Sequence, residues 1–273
     1  TIRTISSDNK MLQNLSYGYD DFGNLMFRKK NTGVPVMEEF EYDDFNRLKR
    51  IRLNGAISGE MVYDDLGNIT AKTINGVKVL YNTKYDVERP HAIVQADTDD
   101  ETMFNGFKQN IVYSSYDNAV RINEGSKRLD IIYGSDNSRI YSCLNNNGKI
   151  KTKVYVGDCE IVSDNGTVSK LTYLSGPMGV FAVCVEDAKG AIDINYINKD
   201  NIDSWNIITD DNAEVLQGLS FDAWGNRRDS DTWDEYYVNE PLLFDRGFTG
   251  HEHLTDFALI NMNGRIYDPM MSM

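Results

Sequence analysis

Tyr19-Asp20-Asp21-Phe22-Gly23-Asn24-Leu25 is the stretch of sequence that decides the fold, because the chain repeats it. Close variants follow at Tyr42-Asp43-Asp44-Phe45-Asn46-Arg47-Leu48, at Tyr63-Asp64-Asp65-Leu66-Gly67-Asn68-Ile69 and, far downstream, at Phe221-Asp222-Ala223-Trp224-Gly225-Asn226-Arg227. The first three copies begin at residues 19, 42 and 63, so the period is about 20 residues. Repetition at this period is typical of a repeat architecture.

Each copy has the composition of a turn between two strands, which we call a corner. The Asp after the aromatic residue can accept a hydrogen bond from the backbone N–H two residues on. Three positions after that Asp stands Gly23, Asn46, Gly67 or Gly225, and Gly and Asn are the residues that best tolerate positive φ. If the apolar side chain before this position packs inward, Leu66→Ala should cost about 2–5 kcal/mol. A series of such corners predicts an all-β chain, a long antiparallel meander of hairpins.

Further stretches extend this pattern along the chain. Tyr133-Gly134-Ser135-Asp136-Asn137-Ser138-Arg139 is a related corner, and two more motifs stand near the end, Phe248-Thr249-Gly250-His251-Glu252 and Asn261-Met262-Asn263-Gly264-Arg265-Ile266-Tyr267-Asp268-Pro269. Together with the repeated phrase they resemble the YD repeats and the repeat-associated core of the RHS family. The resemblance runs from Tyr19 to Pro269. It implies two domains, a YD-repeat shell segment at 1–240 and a truncated core end at 241–273.

The resemblance also implies a function. In this family a long sheet spirals into a hollow shell around a polypeptide cargo, a secreted polymorphic toxin used in competition between bacteria. We therefore expect an all-β meander that curls into a partly closed shell or barrel-like spiral sheet. The expected function is structural and not enzymatic, and the expected location is secreted or at the cell surface. The partners would be the cargo or the rest of the shell. Because an open strand edge near the first residues would need cover, we expect a monomer.

The residues to which the resemblance assigns structural roles fall into two groups. The predicted corner residues are Tyr19, Asp20, Gly23, Tyr42, Asp43, Asn46, Tyr63, Asp64, Gly67, Tyr133, Asp136, Phe221, Asp222, Trp224 and Gly225. The predicted core-end residues are Gly250, Asn261, Asn263, Arg265, Tyr267, Asp268 and Pro269.

Asp268 is the single catalytic candidate. In the RHS family the core end carries an aspartyl self-cleaving activity, and two neighbouring carboxylates that share a proton could support such acid hydrolysis. Asp268 matches the Asp of the family's Tyr-Asp-Pro, but the sequence ends five residues later at Met273. The alternative role is to cap a turn, as Asp20, Asp43 and Asp64 are predicted to do. We therefore expect no self-cleavage.

Composition and charge limit the classes of partner that the chain can bind. The net charge of −14 and the isoelectric point near 4.6 argue against nucleic acid or an anionic membrane, because phosphates would be repelled. The longest apolar run, at 180–185, is far shorter than the ~20 residues of a spanning helix. Since Thr1 is not an initiator Met, we expect a piece of a longer protein.

Aromatic residues leave an alternative partner open. The 16 Tyr and 11 Phe residues could line a groove for a cell-surface glycan. At the corners we instead expect these rings to pack against one another along successive repeats, each pair contributing about 0.5–1.5 kcal/mol. The polar stretch from Asp229 to Glu240, with Trp233, Tyr236 and Tyr237, is predicted to be a solvated loop.

No metal or cofactor is expected. His251-Glu252-His253 places two His side chains on one face of a strand, but a zinc site needs further ligands, and a structural hydrogen-bonding role is the alternative. The acidic turn from Asp97 to Glu101 lacks the Gly and the twelfth-position Glu of a calcium loop. Cys143, Cys159 and Cys184 lie far apart in the sequence and show no metal-type spacing.

Overall fold

The computed structural model describes residues 1–101, 108–234 and 240–273. Nearly all regular structure in these residues is β, and the strands form long antiparallel sheets of hairpins. The all-β meander predicted from the sequence is therefore confirmed. Among the residues that the structure describes, no helix is long and apolar enough to cross a membrane.

The first sheet has nine strands that neighbour one another in chain order. Each strand pairs antiparallel with the next, from β1 to β9. The strands are β1 (Ile2–Ile5), β2 (Met11–Tyr19), β3 (Leu25–Lys30), β4 (Val36–Tyr42), β5 (Leu48–Leu53), β6 (Ala56–Tyr63), β7 (Ile69–Ile74), β8 (Val77–Tyr85) and β9 (Ile93–Asp97).

The second sheet has eleven strands, again in chain order. They are β10 (Gln109–Tyr113), β11 (Ala119–Glu124), β12 (Lys127–Tyr133), β13 (Arg139–Asn146), β14 (Lys149–Val156), β15 (Cys159–Asp164), β16 (Thr167–Gly176), β17 (Gly179–Glu186), β18 (Ile192–Lys199), β19 (Trp205–Thr209) and β20 (Val215–Gly218). Among the described strands, neither of the two long sheets closes on itself as a barrel, because β1, β9, β10 and β20 each have a single neighbour.

Short elements complete the chain. A two-stranded ribbon joins β21 (Ser220–Phe221) and β22 (Arg227–Arg228), and a three-stranded sheet joins β23 (Glu252–Leu254), β24 (Leu259–Asn261) and β25 (Ile266–Tyr267). Two 3-10 turns, Phe248–Gly250 and Thr255–Phe257, flank β23.

The chain divides into two compact units. Among the described residues, the first unit holds 1–5, 9–101 and 228–234, and the second holds 6–8, 108–227 and 240–273. By compactness the core end is thus part of the second unit. The division at 240/241 follows motif similarity and stays a prediction.

Two kinds of turn alternate along strands β4 to β8 of the first sheet. In the first sheet the corners follow β2, β4 and β6, whereas Asn54-Gly55 and Asn75-Gly76 follow β5 and β7. Both residues of each Asn-Gly pair have positive φ, which is the type I′ geometry that suits a two-residue hairpin. Because successive turns of a meander lie at opposite ends of its strands, the corners after β2, β4 and β6 fall along the same end of the first sheet.

The core end covers one face of the second sheet. Trp205, Ile208, Val183 and Tyr173 of the sheet pack with Phe248 in one hydrophobic cluster. A second cluster joins strand residues to the 3-10 turn and β24, and its members are Ile122, Leu129, Ile131, Phe257 and Leu259.

The predicted solvated loop after Asp229 is exposed at Asp231, Thr232 and Asp234, but the prediction is wrong for Trp233. Trp233 is buried, and the guanidinium carbons of Arg228 and Arg28 lie 4.8 and 5.5 Å from its ring centroid. Both arginines also bond the buried carboxylate of Glu38. Cation–π contacts with two arginines that share one carboxylate hold this indole in the first unit. Tyr236 and Tyr237 lie outside the described residues.

Candidate functional site

The Asp of each corner organises its own turn. Oδ1 of Asp20 accepts hydrogen bonds from the backbone N–H groups of Phe22 (2.9 Å) and Asn24 (2.8 Å). Asp43, Asp64 and Asp222 accept the same pair of bonds from the residues two and four positions on. The Asn24 side chain, together with the backbone N–H groups, lowers the pKa of Asp20. Burial alone would raise the pKa of Asp43 and Asp64, but the hydrogen bonds that these carboxylates accept lower it.

The residue three positions after the corner Asp takes the left-handed conformation. φ is +84° at Gly23, +59° at Asn46, +87° at Gly67 and +93° at Gly225. Its N–H donates to the carbonyl of the corner Asp, so the corner is a type I turn closed by a left-handed residue. The corner after Tyr133 differs, because Gly134 stands at the position of the corner Asp. Asp136 is the third residue of this turn, and its Oδ1 accepts the N–H of Ser138.

The corner tyrosines connect successive repeats. The hydroxyl of Tyr42 donates to the carbonyl of Leu25 at 2.9 Å, and that of Tyr63 donates to the carbonyl of Leu48 at 2.7 Å. The acceptor is in each case the first residue of the strand that follows the preceding corner. Two further tyrosines make the same bond, Tyr85 to Ile69 and Tyr133 to Ala119.

The expected ring-on-ring packing along successive repeats is wrong for Tyr42, Tyr63 and Tyr133, which belong to none of the ring pairs among the described residues. The ring pairs among the described residues join Tyr173, Trp205 and Phe244 in one group and Phe221, Phe248 and His253 in another. Corners that lie two strands apart in the sheet are separated by roughly 10 Å, which is beyond ring contact but within reach of a phenol hydroxyl. The sequence shows that Tyr recurs before the corner Asp. It does not show that the Tyr hydroxyl bonds a carbonyl of the preceding repeat.

In the first three corners the apolar residue two positions after the Asp is exposed, so the inward packing considered for Leu66 is wrong. Phe22 is 83% exposed, Phe45 78% and Leu66 65%. The Asp side chain turns the backbone so that the residue two positions on lies at the outer end of the hairpin. The guanidinium carbon of Arg47 lies 5.1 Å from the centroid of the Phe45 ring.

Four corners of the same geometry were missed in the sequence. Asp187, Asp200 and Asp210 each accept backbone N–H groups from residues two and four positions on, and Ser114 does so with its hydroxyl. None of the four follows the full repeated phrase. An Asp or Ser with Gly, Asn, Asp or Ala three residues later is the signal that could have located them.

The predicted core-end residues lie in strands and turns of the second unit. Gly250 has φ +70°, and Asn263 has φ +65°. Asn261 is buried on β24 and accepts the N–H of Asn263 at 2.9 Å, and the carbonyl of Arg265 accepts the N–H of Met262. Burial and the nearby carboxylates of Asp222 and Asp268 raise the pKa of Tyr267.

Asp268 itself resembles a turn cap in its bonding. Its Oδ1 accepts the N–H groups of Met270 (2.9 Å) and Met271 (3.0 Å). The following Pro269 offers its carbonyl to Nδ2 of Asn226 at 3.1 Å, which ties this turn to the last corner. Asp222 and Asp268 each hold a turn through backbone N–H groups.

A buried ion cluster connects the core end to the second sheet. Glu252 of β23 bonds Lys153 of β14, Arg139 of β13 and the hydroxyl of Tyr155. Burial alone would raise the pKa of Glu252, but Lys153 and Arg139 lower it to about 2. Nζ of Lys153 also lies 3.0 Å from a carboxylate oxygen of Asp245. Burial alone would lower the pKa of Lys153, but the carboxylates of Glu252, Asp245 and Glu160 raise it.

Arg246 extends this cluster toward β15 and β16. Its Nη2 donates to Glu160 at 2.7 Å, and its guanidinium carbon lies 4.5 Å from the ring centroid of Tyr173. A small cavity of about 50 Å³ adjoins the cluster at Lys151, Asp245 and Glu252. Sequence reasoning missed all of these contacts, because the partners lie on one face of distant strands.

The two histidines of the core end bond within their own turn. Nε2 of His253 accepts the N–H of Phe248 at 3.0 Å, and Nδ1 of His251 lies 2.7 Å from the hydroxyl of Thr249. Burial lowers the pKa of His253 to about 4, so the ring is neutral, as this acceptor role requires. Within 1–101, 108–234 and 240–273, no group of three His, Cys, Asp or Glu residues could hold a metal ion.

Solved structures share this arrangement of sheets. A crystal structure of TcdB2–TccC3 matches 99% of this chain with a TM-score of 0.76 and 15% identity, and a TcdB2–TccC3 structure without the hypervariable C-terminal region matches 99% with a TM-score of 0.74 and 14% identity. A Photorhabdus luminescens Tc holotoxin pore matches 97% with a TM-score of 0.74 and 15% identity. The likeness shows the fold. It supports the RHS-type fold that the sequence motifs imply.

The matched region is a small part of each longer chain. This chain spans 15–16% of the length of the toxin chains that it matches. No protein-family model and no curated protein sequence matches it.

Proposed function

We propose that this chain is a segment of an encapsulating shell that encloses and presents a polypeptide cargo, in the manner of the RHS cocoon, and that it acts as a scaffold without catalysis. The observation that carries the proposal is the match of 97–99% of the chain to one segment of much longer toxin chains. A cargo of the polymorphic toxin class, secretion and a role in competition between bacteria belong to the same proposal.

The bonding of the sheets supports a structural role. Corner tyrosines link each hairpin to the one before it, and the ion cluster of Glu252 links the core end to the second sheet. Both features hold strands in fixed register over a long meander. A shell needs this property, since a slipped strand exchanges its two faces.

Protection from protease tests the proposal. The full-length product of the gene is purified and treated with a protease of broad specificity. We expect a segment outside residues 1–273 to survive digestion, whereas the same segment expressed alone is digested. Equal digestion of both samples, or a gene that encodes nothing beyond this chain, would overturn the proposal.

A glycan-binding function is a second candidate, which the exposure of Phe22 and Phe45 favours. Corners of neighbouring hairpins are two strand spacings apart, roughly 10 Å, so the two rings form a short row at the end of the first sheet. A glycan array with the parent and a Phe22→Ala/Phe45→Ala variant tests this function. Binding that both proteins share, or no binding by the parent, would exclude this row as the binding surface.

A further inference from the structure

One face of the second sheet carries an exposed patch of apolar side chains, here called the β12–β18 patch. It consists of Ile132, Val154, Val156, Ile161, Ile192 and Ile194, which are 38–61% exposed. Their neighbours along each strand, such as Ile131, Lys153 and Glu160, are buried on the opposite face. The alternation of a strand places the patch on the face that the core end does not cover.

The strand register makes the patch continuous. Ile132 lies opposite Tyr141, Tyr141 opposite Val154, and Val154 opposite Ile161. A neighbouring row leads from Val156 through Cys159, Thr172 and Cys184 to Ile194. Residues directly opposite on antiparallel strands are in side-chain contact, so these two rows form one surface across seven strands.

The first sheet provides the contrast. On its exposed face Arg50 bonds Glu41 and Glu60, each at 3.0 Å, and Arg52 bonds Glu41 at 2.8 Å. A ladder of ion pairs of this kind keeps a sheet face in water. The same fold therefore tolerates a charged exposed face, and the apolar patch of the second sheet is not a requirement of the meander.

Charge and area indicate what covers the patch. The charged side chains around it are Arg121 and Arg128 with Asp130, and Lys170 with Glu186. They nearly balance, although the whole chain carries −14. A balanced face is the part of such an acidic protein on which a second copy can approach with the least repulsion.

The area agrees with a small symmetric interface. A half-exposed Val or Ile presents roughly 50 Å² of apolar surface, so the six residues present roughly 300 Å². One partner of a standard-size interface contributes about 800 Å², of which about 450 Å² is apolar. We propose that two copies of this chain associate face to face through the β12–β18 patch. The proposal does not depend on the shell function, and it replaces the monomer expected from the sequence.

Light scattering coupled to size exclusion tests the dimer with the full 273-residue chain. We expect a mass that rises with concentration from 31.1 kDa toward twice that value. Because the interface is symmetric, each substitution acts twice. Val156→Lys, which introduces like charges at the contact, should raise the dissociation constant by about 100-fold or more.

Val62→Lys is the matched control. Val62 is 56% exposed on the exposed face of β6, and Val156 is 60% exposed, so both variants add one charge at a comparable strand position. The control should dimerise as the parent does. A monomer at all concentrations, or equal weakening by both substitutions, would overturn the proposal.

An edge-to-edge dimer is distinguished by a second variant. Thr4→Pro removes a backbone donor from β1, the edge strand of the first sheet. A dimer that is lost in Thr4→Pro and kept in Val156→Lys would place the contact at that edge and refute the face-to-face arrangement. A monomer that binds neutral phosphatidylcholine vesicles and loses this binding in Val156→Lys would assign the patch to a lipid surface and refute it as well.

Discussion

Replacing Glu252 by Gln removes one negative charge from the buried ion cluster and keeps the size of the side chain. Lys153 is then left buried with one fewer carboxylate neighbour, and Arg139 loses its ion pair. Removing one partner from a buried pair costs about 3–5 kcal/mol, because an uncompensated charge stays away from water.

The pKa of Glu252 gives a second measure of the same effect. Its ordinary value of 4.5 falls to about 2 in the folded protein, and this difference corresponds to about 3 kcal/mol. Because the folded pKa lies below the unfolded one, this contribution is fully present above about pH 4.5 and is lost as the pH falls to about 2.

Urea unfolding at pH 7, followed by tryptophan fluorescence, measures the cost. With a slope of about 3 kcal/mol per molar urea, the upper end of the usual range, the midpoint should fall by about 1–2 M. Glu186→Gln in the same unit is the control, because the Glu186 side chain is 44% exposed and lies 3.6 Å from Lys170. This substitution should change the free energy of unfolding by less than about 1 kcal/mol. Equal midpoints for the two variants would refute the buried cluster as a source of stability.

Three further predictions concern the corners and the core end. Tyr63→Phe removes the hydroxyl that donates to the carbonyl of Leu48, so a thermal melt should show a free energy of unfolding lower by about 0.5–1.5 kcal/mol. An unchanged melting temperature would contradict this bond between repeats. Gly67→Val should lower the free energy of unfolding by about 1–3 kcal/mol through positive φ alone, because a Cβ there meets nothing within 4 Å. Gly67→Asn should be nearly neutral, since Asn tolerates positive φ. Equal losses of stability in the two variants would contradict this cause. Burial lowers the pKa of His253 to about 4 from 6.5, so stability that is full above pH 6.5 should fall by up to about 3 kcal/mol as the pH drops to 4. A His253→Gln variant with the same slope in that pH window would show that another group titrates.

The sequence determined the features that depend on neighbouring residues. A corner is closed by an Asp that bonds the N–H groups two and four positions on and by Gly or Asn at positive φ. Asn54-Gly55 and Asn75-Gly76 form their hairpins by the same kind of local preference. Because a meander joins each strand to the next one, these local turns were sufficient to predict a long antiparallel meander, but they did not predict its division into two sheets.

The tertiary structure decided which side chains are buried and which polar groups meet. Glu252 and Lys153 are 99 residues apart in the sequence, and no local pattern indicates that they pair. Trp233, in a polar stretch, is buried because Arg28 and Arg228 meet at Glu38 beside it. Alternation along a strand separates its two faces but does not say which face the chain will cover. That choice depends on where the core end packs, and it leaves the β12–β18 patch in water.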